Sequence, residues 1–225
     1  MLDKIKGGLV VSCQALEDEP LHSSFIMGKM AKAAEMGGAV GIRANSQEDI
    51  LAIKKEVSLP IIGIVKRDYT NSSVYITPTM KEIDELMTAG CDMIALDATS
   101  QNRPSNQTLA EFVEAIREKY GKILLMADTA TLDEAIKAEQ LGFDVISTTL
   151  VGYTNYTRSR DIFQDDYRLM KQYLTHINVP VIAEGKIDSP EKMRVCLNLG
   201  AHAVVVGSAI TRPQRITQAF TDFID

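Results

Sequence analysis

Glu139-Gln140-Leu141-Gly142-Phe143-Asp144-Val145-Ile146 reads as the end of a helix, a glycine, and the start of an apolar strand. The same grammar recurs in Ala34-Glu35-Met36-Gly37-Gly38-Ala39-Val40-Gly41-Ile42, in Met87-Thr88-Ala89-Gly90-Cys91-Asp92-Met93-Ile94-Ala95-Leu96 and in Asn198-Leu199-Gly200-Ala201-His202-Ala203-Val204-Val205-Val206. Gly37, Gly90, Gly142 and Gly200 stand 53, 52 and 58 residues apart. A glycine just past a helix suits the left-handed position that ends it, and that conformation is expected at all four.

Further strands fall between these: Gly8–Gln14, Pro60–Lys66, Ile123–Asp128 and Val179–Glu184. Pro60 and Pro180 open two of them, where a missing N–H is tolerated. Patterned helices such as Thr108–Tyr120 and Thr131–Leu141 separate the strands, giving eight strands with a helix after each. The strands are near-continuous apolar runs, the pattern of a parallel sheet covered on both faces. Strict alternation over about 220 residues points to a closed (β/α)8 barrel, a single domain over residues 1–225. The rival, an open doubly wound sheet, usually carries a glycine-rich first turn, and none follows Val11. Loops after strands are the longer ones: Ala15–Ser23, Arg67–Pro78, Thr99–Gln107 and Val151–Gln164. They gather on the face where barrel enzymes carry their sites. Val151–Gln164 holds Tyr153, Thr154, Asn155, Tyr156, Arg158 and Arg160; a lid over a polar ligand and an ordinary solvated loop both fit it.

The 225 residues are 45% apolar, enough for a core without disulfide staples, and carry a formal charge of −6, which argues against nucleic acid as a partner. Cys13, Cys91 and Cys196 are widely spaced and suggest reduced thiols of a cytoplasmic protein. No apolar run is long enough to cross a bilayer. Leu9-Val10-Val11-Ser12-Cys13 faintly resembles a lipoprotein cleavage site, but polar Met1–Gly8 supplies no apolar leader, and a buried first strand is expected instead.

Strand seven ends Ala183-Glu184-Gly185-Lys186 and strand eight ends Val206-Gly207-Ser208-Ala209-Ile210-Thr211-Arg212-Pro213. Gly185 and Gly207 let backbone N–H groups approach an anion, Ser208 adds a hydroxyl at the start of a short helix, and Arg212 can close the cage. Barrels that bind phosphate often do so after these two strands. The plain alternative is that Gly207 packs tightly and Arg212 meets solvent.

Polar residues stand at successive strand tips: Gln14, Arg43, Lys66, Asp97, Asp128, Thr149 and Glu184. Any one could be a satisfied rim ion pair, the reading favoured for Asp97; as a set they converge on one pocket. Lys66 and Glu184 come from opposed strands three and seven. Burial and the positive charge of Arg43 and Arg67 would lower the pKa of Lys66 and make it a usable base or a Schiff-base amine. His22, His176 and His202 are scattered and define no metal site.

Taken together, Gly8-Leu9-Val10-Val11-Ser12-Cys13-Gln14, Gly41-Ile42-Arg43-Ala44, Ile64-Val65-Lys66-Arg67-Asp68, Met126-Ala127-Asp128, Ile182-Ala183-Glu184-Gly185 and the Val206–Pro213 run resemble the N-acetylmannosamine-6-phosphate 2-epimerases of sialic acid catabolism. The resemblance implies a TIM barrel of the ribulose-phosphate-binding type. It implies interconversion of N-acetylmannosamine 6-phosphate and N-acetylglucosamine 6-phosphate without a metal or organic cofactor, in a cytoplasmic homodimer. It gives Lys66 the C2 proton, and Glu184 either the sugar hydroxyls or a share in proton transfer. Gln14, Arg43 and Asp128 would orient substrate; Gly185, Gly207, Ser208 and Arg212 would hold phosphate. The residues alone leave open a Schiff-base lyase or synthase on a sugar phosphate and a non-catalytic sugar-phosphate sensor.

Overall fold

A computed structural model describes residues 1–224. Its strands are β1 (Leu9–Cys13), β2 (Gly41–Asn45), β3 (Ile61–Ile64), β4 (Met93–Asp97), β5 (Leu125–Asp128), β6 (Val145–Ser147), β7 (Val181–Glu184) and β8 (Ala203–Val206). Each pairs in parallel with the next, and β8 closes on β1, so the sheet is the expected barrel. α1 (Leu2–Ile5) precedes β1. Then α2 (Ser24–Met36), α3 (Gln47–Glu56), α4 (Met80–Ala89), α5 (Leu109–Tyr120), α6 (Leu132–Gln140), α7 (Gln164–His176) and α8 (Pro190–Leu199) follow successive strands; α9 (Ser208–Thr211) and α10 (Pro213–Thr221) follow β8.

Strand periodicity divides the core in two. Val10, Ile62, Ile64, Met93, Met126, Val145, Ile182, Ala203 and Val205 fill the barrel interior, and Ile5 of α1 packs with them. The alternate residues, among them Val11, Ile42, Leu96, Ala127, Ile146 and Val204, pack against the helices. Following the inward parity toward each strand's C-terminus passes from these apolar layers to the polar tips. Helix starts are fixed locally: Thr79, Thr108 and Thr131 each form a reciprocal capping box with the glutamate three residues on.

Two expectations are corrected. Gly90, Gly142 and Gly200 have positive φ as expected, but Gly37 is right-handed and the left-handed residue is its neighbour Gly38. The helix simply runs one residue further before turning. Segment Arg67–Pro78, read as a loop, folds back as a short strap: Ile76 bridges Lys66 antiparallel, Thr77 N–H donates to Val65 O at 2.7 Å, and Asp97 N–H donates to Ile76 O at 3.1 Å. The strap links the C-terminal ends of β3 and β4, which share two paired positions.

Candidate active site

The C-terminal strand ends open into a cleft lined by Gln14, Arg43, Lys66, Glu184, Gly185, Gly207, Ser208 and Arg212, eight of the nine residues singled out from sequence. Asp128 is the ninth. It is fully buried and lies beneath the cleft. Arg43, only 1% exposed, donates from Nη2 to Asp128 Oδ2 at 2.5 Å and from Nη1 to Asp128 Oδ1 at 3.1 Å and Glu184 Oε2 at 3.0 Å. Burial opposes the charge on this guanidinium, but Asp128 and Glu184 more than offset it and leave Arg43 firmly cationic. One cation from β2 thus holds in place two carboxylates from the tips of β5 and β7, strands separated by β6.

The hydroxyl of Thr149 joins them, 2.8 Å from Asp128 Oδ1 and 3.1 Å from Glu184 Oε2. Both side-chain bonds to Glu184 fall on Oε2, which leaves Oε1 to the cleft. The backbone of Glu184 is gripped from the other face by Thr148, whose hydroxyl donates to Glu184 O at 2.8 Å and accepts from Glu184 N–H at 3.0 Å. Burial raises the Glu184 carboxyl pKa, and Asp128 adds to the rise, while Arg43, Thr149 and Lys66 work against it.

Lys66 enters the cleft from the end of β3. Its N–H donates to Asn45 Oδ1 at 2.7 Å, and the strap bridges it through Ile76. Burial, then the charges of Arg43 and Arg212, lower its pKa to about 8 despite Glu184 and Glu19. The second positive neighbour is therefore Arg212 rather than the expected Arg67, which turns outward to pair with Glu82 and Glu85 on α4. Lys66 and Glu184 have their proton affinities moved toward one another by a shared environment, a pattern of acid–base sites.

At the other end of the cleft, Gly185 has φ +104°, a conformation that strains any other residue and turns the chain sharply after Glu184. Gly207 has φ −111° and ψ −96° and caps α9, with Ser12 Cβ 3.4 Å from where a Cβ would stand. Ser208 Oγ accepts from Arg212 Nη1 at 2.9 Å, and Arg212 also pairs with Glu19 of the first loop. Thr211 Oγ1 donates to Ser12 O at 2.9 Å and fastens α9 to β1. Gln14 donates to Ser12 Oγ at 2.7 Å and leaves its own buried Oε1 without a partner among the described residues.

Asp97 does not form the expected ion pair. Its Oδ1 accepts from Thr99 N–H at 2.8 Å and Thr99 Oγ1 at 2.6 Å, while Arg103 bonds its backbone carbonyl. Sequence reasoning also passed over Tyr75 and Ile76 of the strap, and Ser12, all of which line the cleft. The run Val74-Tyr75-Ile76-Thr77, β-branched and aromatic, was the available signal for an extended segment. Loop Val151–Gln164 is anchored by buried Val151, Thr154, Thr157 and Ile162; it sends Tyr153 to the cleft rim, and Lys186 Nζ donates to its Arg160 O at 3.0 Å.

Fold and cleft define an enzyme of the (β/α)8-barrel class, with a lysine and a glutamate of shifted pKa at the strand C-termini. The family model described as "Putative N-acetylmannosamine-6-phosphate epimerase" matches residues 27–225, and the chain belongs to that family. It is 61% identical over 222 residues to a protein of Shouchella clausii, covering 99% of this chain and 97% of the relative. It is 58% identical over 220 residues to one of Oceanobacillus iheyensis, covering 98% and 99%. Both are named "Putative N-acetylmannosamine-6-phosphate 2-epimerase". The solved N-acetylmannosamine-6-phosphate 2-epimerase of Clostridium perfringens superposes with a TM-score of 0.93 at 54% identity, over all of this chain and 96% of that one. Thiamine phosphate pyrophosphorylase of Pyrococcus furiosus, at 17% identity and a TM-score of 0.59, shares the fold alone.

Proposed function

We propose that this protein interconverts N-acetylmannosamine 6-phosphate and N-acetylglucosamine 6-phosphate in sialic acid and amino-sugar degradation, by moving a proton at C2. The observation that carries the reading is the facing pair Lys66 and Glu184, one with its pKa lowered to about 8 and the other raised, in one cleft. In the open-chain sugar, C2 adjoins the C1 aldehyde. One group of the pair takes the C2 proton, the C2–H electrons form an enolate with its charge on O1, and the other group returns a proton to the opposite face. The pair holds one proton before and after the step and two while the enolate exists, so both directions run from the same protonation count. Neither group needs a large change in proton affinity between its two roles.

In this reading Arg43 and Asp128 orient Glu184, and Gln14, which lines the cleft, helps orient the sugar. Gly185, Gly207, Ser208 and Arg212 receive the phosphate, whose binding energy, remote from C2, holds the reactive geometry. For Arg212 that means sharing its charge with Glu19 or releasing it. The reaction is proton transfer only, and no metal or organic cofactor enters it. Direct assay of the purified protein on N-acetylmannosamine 6-phosphate tests the reading. A Schiff-base lyase would instead be trapped on Lys66 by borohydride, and a sensor would gain thermal stability from the sugar phosphate without turnover.

We further infer a cytoplasmic homodimer. Cys13, Cys91 and Cys196 are unpaired and buried, as suits a reducing compartment. Phe220 of α10 and Phe223 just beyond it, 75% and 88% exposed, offer an apolar surface for a second copy. Among the described residues, no helix is long and apolar enough to cross a membrane.

A further inference from the structure

Thr149 lies two residues beyond the end of β6 and continues its inward parity through Val145 and Ser147. Its hydroxyl has three neighbours: Ser147 Oγ at 2.7 Å, Asp128 Oδ1 at 2.8 Å and Glu184 Oε2 at 3.1 Å. A hydroxyl carries one hydrogen and two lone pairs, and an ionised carboxylate only accepts. Ser147 can donate to Thr149, but the single Thr149 hydrogen can serve only one carboxylate at a time. The same two oxygens, Asp128 Oδ1 and Glu184 Oε2, also share Arg43 Nη1, at 3.1 and 3.0 Å. Asp128 has a second donor of its own in Arg43 Nη2, whereas among the described residues Glu184 has no side-chain donor beyond the shared ones. The supply of donors is therefore unequal, and Thr149 is the one that can move between the acids without moving the backbone.

We propose that Thr149 is a positioning residue that passes its one hydroxyl hydrogen between Asp128 and Glu184, toward Glu184 when that acid is ionised and toward Asp128 when Glu184 holds the C2 proton. The inference rests on the reading of Glu184 as a proton-transfer group. It explains why a threonine stands between two carboxylates already joined by an arginine: Arg43 is charged throughout and cannot follow the proton, while a hydroxyl rotor can. Other titratable groups facing the pair are Lys66 at the end of β3, Asp97 of β4, Tyr75 of the strap and Tyr153 beyond β6. None of them bonds to Asp128 or Glu184 in place of Thr149.

The test is the pH dependence of kcat/KM for Thr149→Val, which keeps the shape and removes the hydroxyl, beside Thr149→Ser, which keeps the hydroxyl. Losing a donor to the charged form raises the pKa of a carboxyl. The acid limb of Thr149→Val should move to higher pH by about one unit, the scale of one hydrogen bond to a charged group. Its kcat should fall about tenfold with KM nearly unchanged, and Thr149→Ser should restore the wild-type profile. Thr149→Cys, a weaker donor of similar size, should fall between the two and serves if the valine variant does not fold. An unmoved acid limb in Thr149→Val or Thr149→Cys, or equal losses in the serine and valine variants, overturns the proposal. Glu184→Gln is measured alongside. If it turns over at near wild-type rate, the reading of Glu184 fails and the inference falls with it; if it is inactive and the Thr149 profiles do not move, the inference alone is wrong.

Discussion

Lys66 and Asp97 are both charges taken out of water at the barrel mouth, and their effects on stability run with opposite signs. Lys66 has its pKa lowered from 10.5 to about 8, first by burial. The folded protein therefore binds its proton less tightly than the unfolded chain, which costs stability below pH 8 and is relieved between pH 8 and 10.5. Lys66→Met should raise Tm at pH 7 by a few degrees, from roughly 1–3 kcal/mol, while removing turnover; a lower Tm would show the charge to be paid back by contacts on the spot. Asp97 is raised from 3.8 to about 6, again first by burial, and its Oδ2 has no partner among the described residues. Its folded form holds the proton more tightly, so its contribution to stability is lost as pH rises through about 6. Asp97→Asn should be more stabilising at pH 7.5 than at pH 4.5 in thermal melts, and a change equal at both pH values would contradict this. Activity has its own signature. A Lys66–Glu184 pair sharing one proton gives a bell-shaped kcat/KM that falls as pH rises through about 8. A profile that rises through 8 would mean that neutral Lys66 acts as a lone base.

Elements of this barrel were legible to different degrees for physical reasons. Strand parity and the recurring glycines report burial on two faces, so the eight strands and their polar tips, Arg43, Lys66 and Glu184 among them, could be read from local pattern. Gly37 and Gly38 differ only in which carries the turn, and a one-residue choice of helix length is below the resolution of pattern. The strap of residues 73–77 was hidden because its bonds are long-range: Thr77 Oγ1 donates to Ala95 O at 2.7 Å and accepts from Val65 N–H at 3.2 Å. Arg212–Glu19 and the placing of Asp128 beneath Arg43 were hidden likewise, since closure of the barrel, not sequence spacing, makes them neighbours. Glu134 shows the same logic in the loops. Besides capping α6, it accepts from Ser100 N–H at 2.8 Å and Ala130 N–H at 2.9 Å and from the Tyr156 hydroxyl, joining the loops after β4, β5 and β6. Glu134→Ala should cost about 2–4 kcal/mol in urea unfolding and speed amide exchange in loop 151–164; unchanged exchange there would show that the loop is held by its own buried threonines instead.

At the scale of the molecule, closure explains why distant residues act as a unit. β2, β5 and β7 bring Arg43, Asp128 and Glu184 to one point, and β3 sets Lys66 in the same cleft from the opposite wall. The inferred dimer predicts twice the monomer mass in light scattering, reduced by Phe220→Glu with Phe223→Glu; a wild-type monomer at micromolar concentration would contradict it. The most direct test of the central claim, that Lys66 and Glu184 move a proton at C2, is proton NMR of N-acetylmannosamine 6-phosphate with the enzyme in D₂O. N-acetylglucosamine 6-phosphate should form with deuterium at C2 from the earliest product, and Lys66→Ala should be slower by about 10²–10⁴-fold. No conversion, product that keeps its original C2 proton, or normal turnover by Lys66→Ala would contradict the account.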